Sequence, residues 1–450
     1  MTKFDKFGLA DPLLRAITAE GYETPTPIQQ QVIPAFLKGN DILGIAQTGT
    51  GKTAAFCLPI LNHVLGAKRN LTPKTSTALI VAPTRELASQ IVDNIRAYAK
   101  FSKVKVALVV GGVRSFGQVK AMRGGVDVIV ATPGRLLDHM NTDAITLDNT
   151  QMVVLDEADQ MMDLGFLPAI RKIMRSLPQE RVTGLFSATM PKEIKSLACD
   201  FLSDPQEITV AAVSKPIERI AQSVRRVAKN EKRDVLTSLV LDESVERAVV
   251  FTRTKRGADR VCSHLKEAEI AAVAIHGDKS QAQRERALKQ FKNGKNRVLV
   301  ATDIAARGID IDGVSHVFNF DLPEVSEAYV HRIGRTARAG RSGVAISLCD
   351  PSERHLLRAI EKLIGSKIAN ENGEIEEDVK PDREANDNKP RTKRSRNTRP
   401  FRQNAKGKSK PNAKINEFKQ RGEKSSSKQN KPRLRSKRTG GKQRQRQAAA

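Results

Sequence analysis

Short runs of apolar, mostly β-branched residues recur along this chain, separated by stretches whose apolar positions return every three or four residues. In the first half the runs are DILGIA from Asp41, TALIVAP from Thr77, KVALVVGG from Lys105, DVIVATP from Asp127, MVVLDE from Met152 and VTGLFSAT from Val182. Unbroken apolarity over such a run means burial on both faces, and helical spacing between runs means crossover helices. The two together predict a doubly wound α/β domain around a parallel sheet. The pattern then restarts with RAVVFTRT from Arg247, IAAVAIHG from Ile270, NRVLVATD from Asn296, VSHVFNFDLP from Val314 and GVAISLCD from Gly343. Between the series, Thr209 to Glu218 (TVAAVSKPIE) lacks a helical face and contains Pro216, as a linker does. The predicted layout is a first domain over 1–208, a linker over 209–218, a second domain over 219–370 and a tail over 371–450.

Charge sharpens the last boundary. The 450 residues carry a formal charge of +27, yet from Lys389 onward there are 23 Lys and Arg against only Glu417 and Glu423, so +21 of it lies in the tail. An acidic stretch with Glu374, Glu376, Glu377, Asp378, Asp382, Glu384 and Asp387 precedes it. From Lys380 apolar residues are almost absent, too few to offset the chain entropy of ordering, so the tail is expected to be disordered. Cys57, Cys199, Cys262 and Cys349 form no Cys-x-x-Cys pair and read as small buried hydrophobes in a reducing compartment. No apolar run approaches the ~20 residues that span a bilayer, so a soluble, cytoplasmic protein without membrane partners is expected.

The chemistry is concentrated after two of the apolar runs. Ala46 to Thr53 reads AQTGTGKT, a phosphate-binding loop in which Gly49, Thr50 and Gly51 bring backbone N–H groups onto phosphates. Lys52 supplies a positive charge there, and Thr53 offers a hydroxyl to Mg²⁺. Ala46 stands where this pattern usually has its first glycine. Met152 to Asp159 reads MVVLDEAD and sets Asp156 at the carboxyl end of a buried strand, where a Mg²⁺-holding carboxylate belongs. Glu157 beside it is placed to orient water. A chain with both segments binds and hydrolyses a nucleoside triphosphate.

Over Phe4 to Cys349 the chain resembles a DEAD-box RNA helicase. It carries, in family order, GYETPTPIQ (Gly21 to Gln29), AQTGTGKT, PTRELA (Pro83 to Ala88), Gly111-Gly112, TPGR (Thr132 to Arg135), DEAD (Asp156 to Asp159), SAT (Ser187 to Thr189), VFTRT (Val250 to Thr254), QAQR (Gln281 to Arg284), ATDIAARGID (Ala301 to Asp310) and HRIGRTARAG (His331 to Gly340). The core resembles the bacterial RhlE-like branch most. The resemblance implies two RecA-like domains of the P-loop NTPase, helicase superfamily 2 class. It implies adenine recognition by Gln29, with Phe4 as a flat stacking surface, and therefore ATP as the nucleotide. It further implies Lys52 on the β- and γ-phosphates, Arg335 and Arg338 as arginine fingers reaching in from the second domain, and Asp303 on the ribose. Ser187 and Thr189 would couple domain closure to strand separation.

RNA contacts are expected from Thr84, Arg85, Gly112, Thr132, Gly134 and Arg135 in the first domain and from Arg253, Gln281, Arg284, Thr302 and Gly308 in the second. Glycines permit close backbone approach and arginines pair with phosphates, so neither reads a base. With no Trp, three Tyr and 15 Phe, a multi-base stacking platform is not expected and binding should be largely sequence-independent. In HRIGRTARAG, Ala337 replaces a common glycine and is expected to stiffen the loop slightly while leaving both arginines in register. The reading is an RNA-dependent ATPase that unwinds short duplexes or remodels RNA–protein complexes, with ribosomal RNA or RNA-degradation machinery as partners. The alternative is an ATP-gated RNA clamp with little net unwinding.

Overall fold

A computed structural model describes residues 3–47, 49–66, 71–210, 219–306, 313–337, 342–370 and 372–374. The basic tail, residues 211–218 of the expected linker, Gly308 and Arg338 lie outside these. Met1–Asp378 forms one compact unit containing two parallel sheets. The first runs β1 (Ile42–Ile45), β2 (Ser76–Val81), β3 (Val106–Val109), β4 (Val126–Ala131), β5 (Met152–Leu155), β6 (Val182–Ser187) and β7 (Gln206–Thr209) along the chain, in spatial order β3-β4-β2-β5-β6-β1-β7. The second contains β8 (Ile220–Arg226), β9 (Ala248–Phe251), β10 (Ala272–Ile275), β11 (Val298–Ala301), β12 (His316–Asn319) and β13 (Gly343–Cys349), ordered β10-β11-β9-β12-β13-β8.

Each interior strand serves two cores, as its unbroken apolarity requires. In β2, Ala78 and Ile80 enter the cluster under the helices Pro27–Leu37, Lys52–Gly66 and Arg85–Tyr98, while Leu79 and Val81 enter the one under Leu167–Arg175 and Lys192–Phe201. In the second lobe β9 alternates likewise, Val249 and Phe251 to one face and Ala248 and Val250 to the other. The eleven predicted runs are all strands of the sheets. The two unpredicted strands, β7 (QEIT) and β8 (IAQSVRR), each close one edge of a sheet, while β3 and β10 at the opposite edges are apolar enough to be read. An edge strand has no need of apolar continuity, and these two lack it, which is why pattern reading passes over them. Thr209, the first residue of the expected linker, closes β7 opposite Ile45. Cys57, Cys262 and Cys349 are buried as expected, but Cys199 is exposed near the end of the helix Lys192–Phe201. Among the described residues no helix is long and apolar enough to cross a membrane.

Candidate nucleotide site and nucleic-acid interface

Parallel pairing puts the carboxyl ends of all strands of a sheet along one edge, and there the strand order divides the chemistry of the first lobe in two. Neighbours β5, β6 and β1 deliver the DEAD, SAT and phosphate-loop segments; β2, β4 and β3 deliver PTRELA, TPGR and the glycine pair.

In the nucleotide half, Gly49 (φ 85°) and Gly51 (φ 93°) hold left-handed conformations that wrap the loop ahead of the helix Lys52–Gly66. A Cβ on Gly51 would come 2.5 Å from Gln29 Nε2 and would be strained at this φ, so glycine is favoured there. Buried Lys52 donates to the Ala46 carbonyl at 2.8 Å, and Thr50 Oγ1 donates to Gln47 O at 2.8 Å. Asp156 and Glu157 are buried side by side after β5, and Glu157 Oε2 has no hydrogen-bond partner. Glu157 also sits at φ 52°, a strained left-handed position for a residue with a Cβ. Burial, and then the neighbouring Asp156, pushes the Glu157 carboxyl up to about 7, against the pull of Lys52 and of Arg335 from the second lobe. Burial raises Asp156 too, opposed by Lys52 and by the Glu157 N–H.

The last acid of DEAD, to which sequence reading gave no task, is the structural link to SAT. Asp159 Oδ2 accepts from Ala188 N at 3.2 Å, Thr189 N at 2.9 Å and Thr189 Oγ1 at 2.9 Å, while Ser187 Oγ donates to Thr189 O at 2.7 Å.

In the other half the helices Arg85–Tyr98 and Pro133–Asn141 begin where β2 and β4 end, with Thr84 and Thr132 as their N-caps. The Thr84 hydroxyl accepts from Leu87 N at 3.2 Å. Gly112 (φ 74°) lies against the Arg85 guanidinium so tightly that a Cβ would come 1.9 Å from it. Arg135 donates to the Val113 carbonyl at 3.1 Å, and Gly134 is exposed with open space around its Cα. The lobe thus presents helix N-termini and two arginines on one edge, an arrangement suited to anionic phosphates. Burial, followed by Arg284 and opposed by Glu86, lowers the Arg85 pKa.

Several side chains stand elsewhere than expected. Phe4 is fully buried, edge-on to Phe7 and Tyr22, so it belongs to the core and offers no stacking face. Its neighbours are apolar helices, and burial there outweighs an open aromatic site. The Gln29 amide is engaged by the protein: Oε1 accepts from Thr26 N at 2.9 Å and Nε2 donates to Gly51 O at 3.2 Å, tying the phosphate loop to the helix Pro27–Leu37. Gln281 and Arg284 do not face an open track. Both are buried and reach Glu86 of the first lobe, Gln281 Nε2 at 3.4 Å and Arg284 at 2.7 Å. A buried carboxylate needs a cation, and Arg284 supplies one. Arg253 is bound to Glu353 at 2.6 Å and to Leu322 O at 3.1 Å, in a cluster where buried Lys232 meets Glu353 at 2.5 Å and Asp350 at 3.3 Å. One guanidinium nitrogen thus braces the second lobe, while the side chain stays exposed.

Asp303 is held at two points by Arg332, at 2.5 and 2.8 Å, and Arg332 also binds Asn319 and the Asp321 carbonyl. Arg335 is buried, with Nε on His331 O at 3.1 Å, and Thr302 is buried just ahead of Asp303. Ala337 holds φ 56°, the left-handed region that explains the usual glycine there; the replacement is strained more than stiffened. Glu86, Arg332 and Glu353 were missed in the sequence. Glu86 stood inside a quoted motif, but only its burial reveals a task.

The two sheets, the phosphate loop and the acidic strand end define a class: an ATPase of two RecA-like domains with a nucleic-acid edge. Residues 26–197 match the DEAD/DEAH box helicase family and residues 231–340 the helicase conserved C-terminal domain. The DEAD-box ATP-dependent RNA helicase CshA of Bacillus subtilis is 45% identical over 365 residues, 81% of this chain and 73% of that protein. Among solved structures, S. cerevisiae Dbp5 bound to RNA and ADP BeF3 is similar over 82% of this chain and 95% of its own, with 32% identity and a TM-score of 0.73. A single-substitution variant of Dbp5, bound instead to Nup159, a Gle1 variant, IP6 and ADP, reaches 0.56 over 81% of this chain and 95% of its own, with 32% identity. The better match is the RNA-bound form, consistent with the Glu86 contacts that join the lobes here. This chain belongs to the DEAD-box family and is an ATP-dependent RNA helicase, an RNA-dependent ATPase.

Proposed function

We propose that Lys52, Glu157, Arg335 and Arg338 carry the ATPase chemistry, and the observation that supports this most is the unpartnered, buried oxygen of Glu157. An isolated carboxylate oxygen in a dry site is costly unless something polar arrives to use it, and a water poised for attack is such a group. Gly49, Thr50, Gly51, Lys52 and Thr53 hold the phosphates, and Asp303, oriented by Arg332, takes the ribose. A purine at Gln29 would compete for its Nε2 with the Gly51 carbonyl, so base recognition and loop shape are linked. Arg335 reaches the γ-phosphate from the second lobe, and the same task is assigned to Arg338.

The paired acids Asp156 and Glu157, both raised by burial, fit a divalent cation in their neighbourhood. Among the described residues no three His, Cys, Asp or Glu gather as a metal cage, which suits Mg²⁺, a cation that shares one or two protein oxygens with phosphates and water. Thr53 and Asp156 would hold it, and bound there it would neutralise phosphate charge.

RNA phosphates lie along Thr84, Arg85, Gly112, Thr132, Gly134 and Arg135, continued by Thr302 and Gly308, while Asp159 transmits nucleotide state through Ser187 and Thr189. At finer grain we place the chain nearest the RhlE-like branch, in the cytoplasm, acting on ribosomal RNA or beside RNA-degradation machinery through its basic tail. The test is ATP turnover with RNA and with DNA, alongside displacement of a short RNA duplex. Stimulation by RNA only, with displacement, is expected. RNA-gated ATP binding without displacement would mean a clamp, and equal stimulation by DNA would overturn the RNA assignment.

A further inference from the structure

One aromatic side chain near the RNA edge has no task in the reading so far. The turn after β3 runs Gly111, Gly112, Val113 and Arg114 into the helix Ser115–Met122, and residues 112–117 are all exposed. Phe116 is 68% exposed and Val113 39%, two of the six large apolar side chains that the described residues leave in solvent. The other exposed phenylalanine, Phe101, is covered by the Arg15 guanidinium at 4.5 Å from its ring; among the described residues no ring or cation covers Phe116. The position is not loose. Gln118, two residues on, is buried, donating to Val110 O at 2.9 Å and meeting His139 Nε2 at 3.1 Å, which ties this helix to Pro133–Asn141. Arg135 of that second helix grips the Val113 carbonyl, and Gly112 cradles Arg85. A bare aromatic ring therefore stands on a fixed helix start, beside the arginines of the phosphate track.

We propose that Phe116 is a base-stacking residue: the nucleobase of single-stranded RNA leaving the β3 end of the first lobe lies on its ring, while Arg85 and Arg135 hold the neighbouring phosphates. The inference rests on the reading of this edge as the RNA track and adds the one contact there that is not electrostatic. Ring stacking accepts any base, so it strengthens binding without imposing a sequence. It also favours an unpaired nucleotide, because a base inside a duplex has both faces covered. Phe116 would thereby help this enzyme hold a strand that has just lost its partner.

The test measures affinity of the full-length protein, with a non-hydrolysable ATP analogue, for a single-stranded RNA in which one nucleotide at a time is made abasic. Wild type should lose about tenfold at one position, and Phe116→Ala should be about tenfold weaker on intact RNA but indifferent to that lesion. Phe116→Trp should restore both the affinity and the response. Because the phosphates keep all their partners, the log–log salt slope of Phe116→Ala should match wild type, whereas Arg135→Ala should reduce it by about 0.7. If Phe116→Ala binds like wild type, the proposal is overturned and the patch is left for a protein partner. An equal abasic response in wild type and Phe116→Ala would likewise overturn it, reducing Phe116 to a structural residue. Should Arg85→Ala and Arg135→Ala also bind normally, it is the RNA track itself that is wrong.

Discussion

At the residue scale, a buried acid works against the fold that holds it. Glu157 titrates at about 7 in the folded chain, above its unfolded value near 4.5, so between those values the native state binds more protons. Its contribution to stability is therefore lost as pH rises through 7. Glu157→Gln removes the buried charge and should melt higher than wild type at pH 8, by an amount on the order of 3 kcal/mol at most, with the gain vanishing near pH 4. The same substitution should abolish turnover while keeping ATP and RNA bound. Melting curves at both pH values with single-turnover hydrolysis check this, and equal melting at pH 8 would refute the burial argument. Lys52, Asp156 and Glu157 could be singled out in the sequence because each belongs to one short segment bound to a strand end, and the structure buries all three. Phe4 was misread for the opposite reason: whether an aromatic ring is a platform or a core residue depends on what covers it.

At the scale of elements, the short helix Ala158–Asp163 and the loop after β6 communicate through a single carboxylate. Asp159 satisfies two backbone N–H groups and one hydroxyl of the SAT loop, and hydrogen bonds to a charged acceptor are each worth about 1.5–3 kcal/mol. Asp159→Ala leaves Asp156 and Glu157 in place but frees that loop. RNA duplex displaced per ATP hydrolysed should fall at least tenfold, more than ATP turnover does; a parallel loss of both would place Asp159 in the chemistry instead. Sheet interiors were readable at this scale because a strand buried on both faces must be apolar throughout. The edge strands β7 and β8 were not, since their polar sequences match those of loops.

At the scale of the whole molecule, the Glu86 carboxylate connects the lobes. Removing one member of a buried ion pair strands the other, at a typical cost of about 3–5 kcal/mol, and here that cost falls on the joined arrangement. Glu86→Ala should lower RNA affinity in the presence of an ATP analogue and reduce fluorescence transfer between dyes on the two lobes. Adding Arg284→Ala should cost little more, because the stranded charge is gone; strict additivity would show that the pair is not the joint. The tail is a separate contributor. A chain ending at Asn388 loses +21 of charge but no catalytic motif, so it should keep ATP turnover at saturating RNA while needing more RNA to reach it. Its binding should also depend less steeply on salt, the log–log slope falling by about 0.7 for each phosphate that the tail no longer neutralises. An unchanged slope in titrations at several salt concentrations would make the tail a solubilising extension.

The sequence by itself determined the two parallel sheets, the nucleotide chemistry and the RNA helicase class. The first two rest on short-range signals, namely apolar continuity within a strand, glycines and a lysine within one loop and acids at one strand end, while the helicase class rests on the resemblance carried by eleven motifs in family order from Phe4 to Cys349. Tertiary structure decided which polar residues serve whom. Arg284 meets a carboxylate 198 positions away, Arg253 pairs with Glu353, Gln29 braces the phosphate loop, and Phe116 stays bare. An arginine or a phenylalanine has the same letter whether it is paired, buried or open. Only the surfaces that the fold brings against it determine which, because desolvation and pairing are properties of the neighbourhood and not of the residue.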